Sequence, residues 1–536
     1  MGIVKFLASS WTAAVLAAAG AHAQHATAQL SWSGGTFGKQ LELELQGDPG
    51  ESYLLFFNQL QGPGGGPLPY VVPFPGPSGP LAGAVAAGGS LPGPALQSPL
   101  ASQTLGVLNA VTGAATLTVN LFDPQLLGTV WGAQFATLDA AGAFDDLSNA
   151  VQFTIAAPGT SFFTSNGMAQ PVRNATVTEL ANGRLLVAGG LDPANQPVAA
   201  WQLFDPLTES FLQPQALPGP RAGHTATPLA NGQVLILGGI GAPGLFPGSS
   251  VLASGLVYNP RTDSFQATPP MSLPRIHHTA TLLEDGRVLV AGGSGLYEPD
   301  HPLGFPFSMQ AGSLIPTTEI FDPATGTWSP GPLLPMPLTG HQASRLGDGK
   351  VLLTGGLERN LFGVVLTTDR CWLYNPRTNG FSAAPPLPDP VAFHAQVETD
   401  SGAALVMAGG ELNLATTAVT YPENVTTFDG VAWTLHADIP GIGFAGCCRC
   451  NHPVYHFSGG LRLDRIDDVS VTTITSSSAL YSLDAAFALS SVFSFNKICT
   501  NWSESFDLGQ RFLNVAYGEL PGGAIETRGE VLVICP

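Results

Sequence analysis

Charge is scarce in this chain: Asp, Glu, Lys and Arg make up 11% of its 536 residues, and only 19 residues are basic. Set against 38 acidic residues this leaves a net charge of −19, which gives nucleic acid or an anionic membrane surface nothing to hold. Heptads and long amphipathic helices need more charge, so coiled coils are excluded as well. After residue 23 no uninterrupted apolar run approaches 18 residues, and no membrane-spanning helix is expected. Several catalytic signatures are missing. There is no Gly-x-Ser-x-Gly elbow, and the glycine-rich stretches lack the Lys-Ser/Thr and following helix of a phosphate cradle. The acid pairs Asp145-Asp146 and Asp467-Asp468 are sequence neighbours, a poor arrangement for two carboxylates that must face one cleft, and they read as solvated loops.

What the chain has is turn formers. Its 65 Gly and 46 Pro are about 21% of the residues, below the roughly 25–30% that marks disorder, and 44% hydrophobic residues supply a core. Lys5, an alanine-rich apolar run and Ala21-His22-Ala23 form a secretory leader over residues 1–23. The mature chain is therefore expected outside the cytoplasm: extracellular, at the cell surface, or in the periplasm. An oxidising compartment favours disulfides for Cys371, Cys447, Cys448, Cys450, Cys499 and Cys535. Zinc fits the 447–450 group badly, because paired zinc ligands usually stand two or more residues apart. Six cysteines allow fifteen pairings; Cys499 with Cys535, and Cys371 with one of the 447–450 group, are the weakly preferred ones.

From residue 161 onward the chain repeats itself. Arg221-Ala-Gly-His-Thr-Ala-Thr-Pro-Leu-Ala-Asn-Gly-Gln-Val-Leu-Ile-Leu-Gly-Gly239 returns as Arg275-Ile-His-His-Thr-Ala-Thr-Leu-Leu-Glu-Asp-Gly-Arg-Val-Leu-Val-Ala-Gly-Gly293. Double glycines begin at 189, 238, 292, 355 and 409, spaced 49, 54, 63 and 54 residues apart. In the first four units an Asn-Gly or Asp-Gly pair, Asn182-Gly183, Asn231-Gly232, Asp285-Gly286 or Asp348-Gly349, joins two apolar runs as a hairpin. A third strand ends at Phe204-Asp205-Pro206, Tyr258-Asn259-Pro260, Phe321-Asp322-Pro323 or Tyr374-Asn375-Pro376. A fourth carries Phe211, Phe265, Trp328, Phe381 or Trp433, recurring aromatics that suit packing between units. Four antiparallel strands per unit make a propeller blade.

With its double glycines and periodic aromatics, 161–536 resembles a kelch-repeat β-propeller of the bacterial, galactose-oxidase-like kind. The fold class expected is all-β, with seven blades favoured over six. Gly459-Gly460 marks the sixth, and Phe512 to Val533 is a source of three strands for the seventh. Residues 161–166 match an outer strand and are expected to pair with the C-terminal strands and close the ring. Residues 30–157 lack the repeat. Their period-two stretches Leu41-Glu-Leu-Glu-Leu45, Ala115-Thr-Leu-Thr-Val119 and Val151-Gln-Phe-Thr-Ile155 read as a small Ig-like β-sandwich, interrupted by a Gly/Pro-rich insertion at 61–99 expected to be a loop.

His224, His278, His341 and His394 all begin innermost strands and so repeat around the channel, preceded in two units by Arg221 and Arg275. They are candidate binding residues at the channel mouth; the alternative is that His-Thr-Ala hydrogen-bonds between blades. Tyr297, His301, Phe305 and Phe307, in the third-unit insertion 294–316, and Leu245-Phe246 fall outside the repeat and form a candidate recognition surface. The resemblance implies a copper radical oxidase as the enzymatic alternative, with copper held by two His and two Tyr. Here Tyr455-His456 sits in the wrong register, directly before Phe-Ser-Gly-Gly, and the repeated histidines are preceded by Gly223, His277, Gly340 and Phe393 rather than Tyr. The reading is therefore a non-catalytic scaffold for a protein or glycan ligand, with no metal and no cofactor expected.

Overall fold

The computed structural model describes most of residues 28–61 and 105–435, and beyond these the backbone of strands between Val72 and Gly83 and between Leu461 and Val533. The described chain is all-β, with repeated antiparallel four-stranded sheets consistent with a β-propeller. No helix among the described residues is long and apolar enough to cross a membrane. Residues 1–23, expected from sequence to be a secretory leader, lie outside the described residues.

One unit shows how the sequence produces its sheet. Thr279–Leu282, Val288–Ala291, Thr318–Asp322 and Thr327–Pro330 pair in that order, all antiparallel. The second strand is buried throughout, so it is written as a continuous apolar run rather than an alternation. Its hairpin turns through Gly286 at φ +85°, and the Asp285 carboxylate accepts the Arg287 amide at 3.1 Å. Third and fourth strands are held by an aromatic pair set directly opposite, Phe321 against Trp328, with ring centroids 4.9 Å apart. Phe204–Phe211, Tyr258–Phe265, Tyr374–Phe381 and Phe428–Trp433 repeat the device. These aromatics also bridge sheets: the Trp328 indole donates to the Pro269 carbonyl of the preceding unit, and the Trp433 indole to that of Pro385.

First strands of successive sheets are Thr176–Glu179, Thr225–Pro228, Thr279–Leu282, Gln342–Arg345, Ala395–Glu398, Leu461–Ile466 and Cys499–Asp507, and each lies beside the next. Ser161–Gly167 pairs antiparallel with Ile525–Val533, the last strand of the chain. Two boundaries differ from the sequence reading. The sheet after Trp433 starts at Leu461, just past the Gly459-Gly460 pair, whereas the double glycines at 189, 238, 292 and 355 each follow a second strand. The final three strands run from Cys499 to Val533 rather than from Phe512. Long β-rich stretches without the Asn-Gly or Asp-Gly turn leave their phase open in sequence. Within 61–99, expected to be a loop, Val72–Gly76 and Gly79–Gly83 pair as a hairpin.

Residues 28–157 form two sheets, Gln29–Gly34, Gln40–Gln46 and Ala114–Asn120 in one, and a second built on Ser52–Gln61 and Val130–Leu138. Both contribute to one apolar cluster that includes Leu43, Val119, Leu55, Trp131, Phe135 and Phe153. This unit is fastened to the first repeat at one turn. Where the other units place Arg261, Ala324 and Arg377, the first has Leu207, which packs against the cluster. Its carbonyl accepts the Gln152 amide at 2.6 Å and the Trp32 indole at 3.1 Å, while Glu209, at φ +46° and 2% exposed, accepts the Thr154 hydroxyl at 2.9 Å. Leu207→Arg copies Arg261 and Arg377, so the turn should persist while the attachment weakens by about 1–2 kcal/mol. Faster proteolysis at residues 157–161 would report it; cleavage at the wild-type rate would contradict this role for Leu207.

Candidate functional site

Four inner strands, those of the second to fifth units, begin with a histidine that reaches into the preceding sheet. His224 Nε2 lies 2.8 Å from Thr176 Oγ1, His278 Nε2 3.1 Å from Thr225 Oγ1, and His341 Nε2 3.0 Å from Thr279 Oγ1. The fourth departs from the pattern for a reason visible in sequence. Gln342 stands where the earlier units have this threonine, and His394 Nε2 turns instead to Thr354 Oγ1 on the neighbouring strand, at 2.6 Å.

The double glycine makes room for this contact. A Cβ on the first glycine would fall 2.8–2.9 Å from the imidazole Cε1 of the next sheet, at Gly189, Gly238, Gly292 and Gly355 alike. A Cβ on the second would meet the histidine of its own sheet, 3.0 Å from His224 Cβ at Gly239 and 2.8 Å from His341 Cβ at Gly356. The second glycine's amide then donates to the next sheet, for example Gly293 to the Leu338 carbonyl at 2.8 Å. Glycine pair, histidine and threonine therefore form one inter-sheet joint, repeated four times among the described residues.

The joint is buried and keeps its imidazoles neutral. All four are 6% exposed or less. Burial, chiefly, lowers the pKa to about 3 for His224, His278 and His394 and to about 4 for His341. Each Nδ1 is buried without a hydrogen-bond partner. An unmet lone pair costs less than an unmet N–H, so the favoured tautomer carries its proton on Nε2, donating to threonine.

Two arginines stand three residues ahead of His224 and His278. Arg275, fully buried, donates to the carbonyls of Gly292 and Thr317 and to Thr317 Oγ1, and pairs with Glu319 at 2.8 Å. Glu319 in turn accepts the Ser272 amide at 2.8 Å. Sequence reading missed Glu319; the signal available was an acid within the third strand, ahead of the turn acid Asp322. Arg221, 3% exposed, reaches only the Gly238 carbonyl and Ser254 Oγ, both at 3.4 Å.

Just before the inner histidines, His277 and Phe393 occupy left-handed backbone at φ +54° and +55°, where Gly223 and Gly340 sit at +61°. Their rings meet edge to face at 5.1 Å across Gly340. On the opposite, hairpin-turn edge a cleft of about 320 Å3 is lined by Glu284, Asp285, Asp348 and Arg377. Asp285 and Asp348 are engaged by Arg287 and Lys350, both at 2.6 Å, which hold these carboxyls below their ordinary range.

Tyr297, His301, Phe305, Phe307 and Leu245-Phe246 lie outside the described residues, as do Tyr455-His456, Cys447, Cys448, Cys450 and Cys535. Of Cys499 only the backbone is described, in Cys499–Asp507. Cys371 is a free thiol, 2% exposed, and burial pushes its pKa up to about 12. Among the described residues no three His, Cys, Asp or Glu side chains are grouped as metal ligands.

No family model and no curated protein matches the chain. A search of solved structures finds similarity to one described as "Structure of YjhT", at 16% identity and a TM-score of 0.41, covering 68% of this chain and 95% of that one. Likeness at that level carries no argument about function.

Proposed function

We propose that the chain is a secreted kelch-type propeller of seven blades, closed by pairing of Ser161–Gly167 with Ile525–Val533 and preceded by a β-sandwich. In this reading it works as a non-catalytic scaffold for a protein or glycan ligand. The observation that carries it is the fourfold inter-sheet joint: the repeated imidazoles are spent on holding sheets together, which leaves the insertions between second and third strands as the variable part. The third-unit insertion is the longest of them and holds Tyr297, His301, Phe305 and Phe307, and its place in recognition rests on sequence.

A glycan and secreted-protein binding screen tests this, using the full chain and a variant in which residues 297–312 are replaced by a short Gly-Ser linker. Expected is a ligand bound by the first and lost by the second, with unchanged circular dichroism. Copper at one ion per chain, together with oxidation of galactose or glyoxal, would replace the scaffold reading with the oxidase one.

A further inference from the structure

The repeats permit a comparison of the same site in different hands. The residue three before the inner histidine is Arg221 in the second unit, Arg275 in the third, Leu338 in the fourth and Val391 in the fifth, and Val172 stands four before Thr176 as Arg221 stands four before Thr225. All five are buried. The backbone role is common to them: the carbonyls of Arg221, Arg275, Leu338 and Val391 each accept the second glycine amide of the preceding sheet at 2.7–2.8 Å. Apolar side chains therefore satisfy the fold at this place, and a charge there is an addition.

In the third unit the addition is neutralised from within. Glu319 stands opposite Val290, and its carboxylate meets the Arg275 guanidinium at 2.8 Å. In the second unit the residue opposite the equivalent Ile236 is Leu256, itself buried, so the carboxylate is replaced by an isobutyl group. Nor is there an acid elsewhere in that unit, because no Asp or Glu occurs between Glu209 and Asp263. What remains to Arg221 is two hydrogen bonds of 3.4 Å, to Gly238 O and Ser254 Oγ, where Arg275 makes its equivalents to Gly292 O and Thr317 Oγ1 at 2.9 and 2.8 Å. Nε is without a partner in both arginines, so the difference between the two sites lies in the missing carboxylate and the longer hydrogen bonds. A buried cation without a counter-charge is among the most costly arrangements a fold can hold, and it takes up an anion where one is supplied.

We propose that Arg221 is a structural anion site, in which a small monovalent anion of chloride or formate size occupies the electrostatic role that the Glu319 carboxylate plays for Arg275. At 3% exposure the guanidinium is closed to the carboxylate of a bulky ligand, which limits the proposal to a small ion. Burial lowers the Arg221 pKa to about 10. This site is independent of the ligand-binding reading above.

The test is thermal unfolding of the full chain in potassium isethionate, with chloride or formate substituted at fixed ionic strength. The wild type is expected to gain roughly 2–4 °C in Tm, saturably, as the ion fills the site. Arg221→Leu, copying Leu338, should fold and lose this response. Leu256→Glu, supplying the carboxylate as Glu319 does, should raise Tm in isethionate and also abolish the response, and it stands as the deciding variant should Arg221→Leu not fold. A wild-type Tm indifferent to both ions would overturn the proposal, as would a response that survives in Leu256→Glu. A response to chloride alone would define a spherical site, and one to formate alone a bidentate carboxylate site.

Discussion

Gly292→Ala is expected to destabilise the protein by about 4 kcal/mol, the sum of backbone strain at positive φ and overpacking at the inter-sheet joint. Gly292 sits at φ +60°, and its Cβ would lie 2.5 Å from the Leu338 carbonyl oxygen and 2.8 Å from His341 Cε1. Neither neighbour can retreat. The carbonyl is held by the Gly293 amide, and the imidazole by Thr279. Gly286, one turn away in the same sheet, provides the control: at φ +85° it has nothing within 4 Å of its Cβ, so Gly286→Ala should cost only about 1–2 kcal/mol, from strain alone. Guanidinium unfolding of the two variants separates these contributions. Equal losses would mean that the double glycine answers to backbone geometry only and that the histidine joint is incidental.

Stability is expected to fall steeply between about pH 6.5 and pH 4. Above about 6.5 the four inner imidazoles are neutral in folded and unfolded chains alike, and contribute nothing to the pH dependence. Below it the unfolded chain takes up protons that the folded chain, with pKa values of about 3 to 4, refuses. Each site then withdraws roughly 1.4 kcal/mol per pH unit, and four together about 5 kcal/mol per unit, comparable to the whole stability of an ordinary domain. Tryptophan fluorescence during acid titration should show cooperative unfolding within this window. His224→Ala, which copies Ala175 of the first repeat, should lower the proton uptake on unfolding at pH 5 by close to one. A thermal midpoint that stays level from pH 7 to pH 4 would show that these imidazoles are protonated in the folded protein.

The strands and turns of the clear repeats were legible because their signals are local. Asn231-Gly232 and Asp285-Gly286 demand positive φ at glycine, and an apolar run such as Val288–Ala291 states that both sheet faces are buried. Local signals ran out after Trp433, where the tight-turn pairs disappear and two strand boundaries were misplaced. The hairpin of Val72–Gly76 with Gly79–Gly83 escaped notice because three prolines obscure any strand pattern. Nothing local marks Glu209 in the sequence. Its burial against Thr154 depends on a unit more than 50 residues earlier in the chain.

Sequence alone determined that this is a repeating all-β protein of low charge, with histidines that recur in register at the start of inner strands. Periodicity is written residue by residue and needs no contact to be read. Only the tertiary structure decided what those histidines and arginines do. Whether an imidazole faces a ligand or the next sheet, and whether a buried guanidinium has a carboxylate beside it, depends on residues far along the chain, 35 to 62 positions away in the three cases that follow. Thr279 under His341, Glu319 beside Arg275 and Leu256 in the equivalent place near Arg221 are such neighbours, brought together by the packing of sheet on sheet.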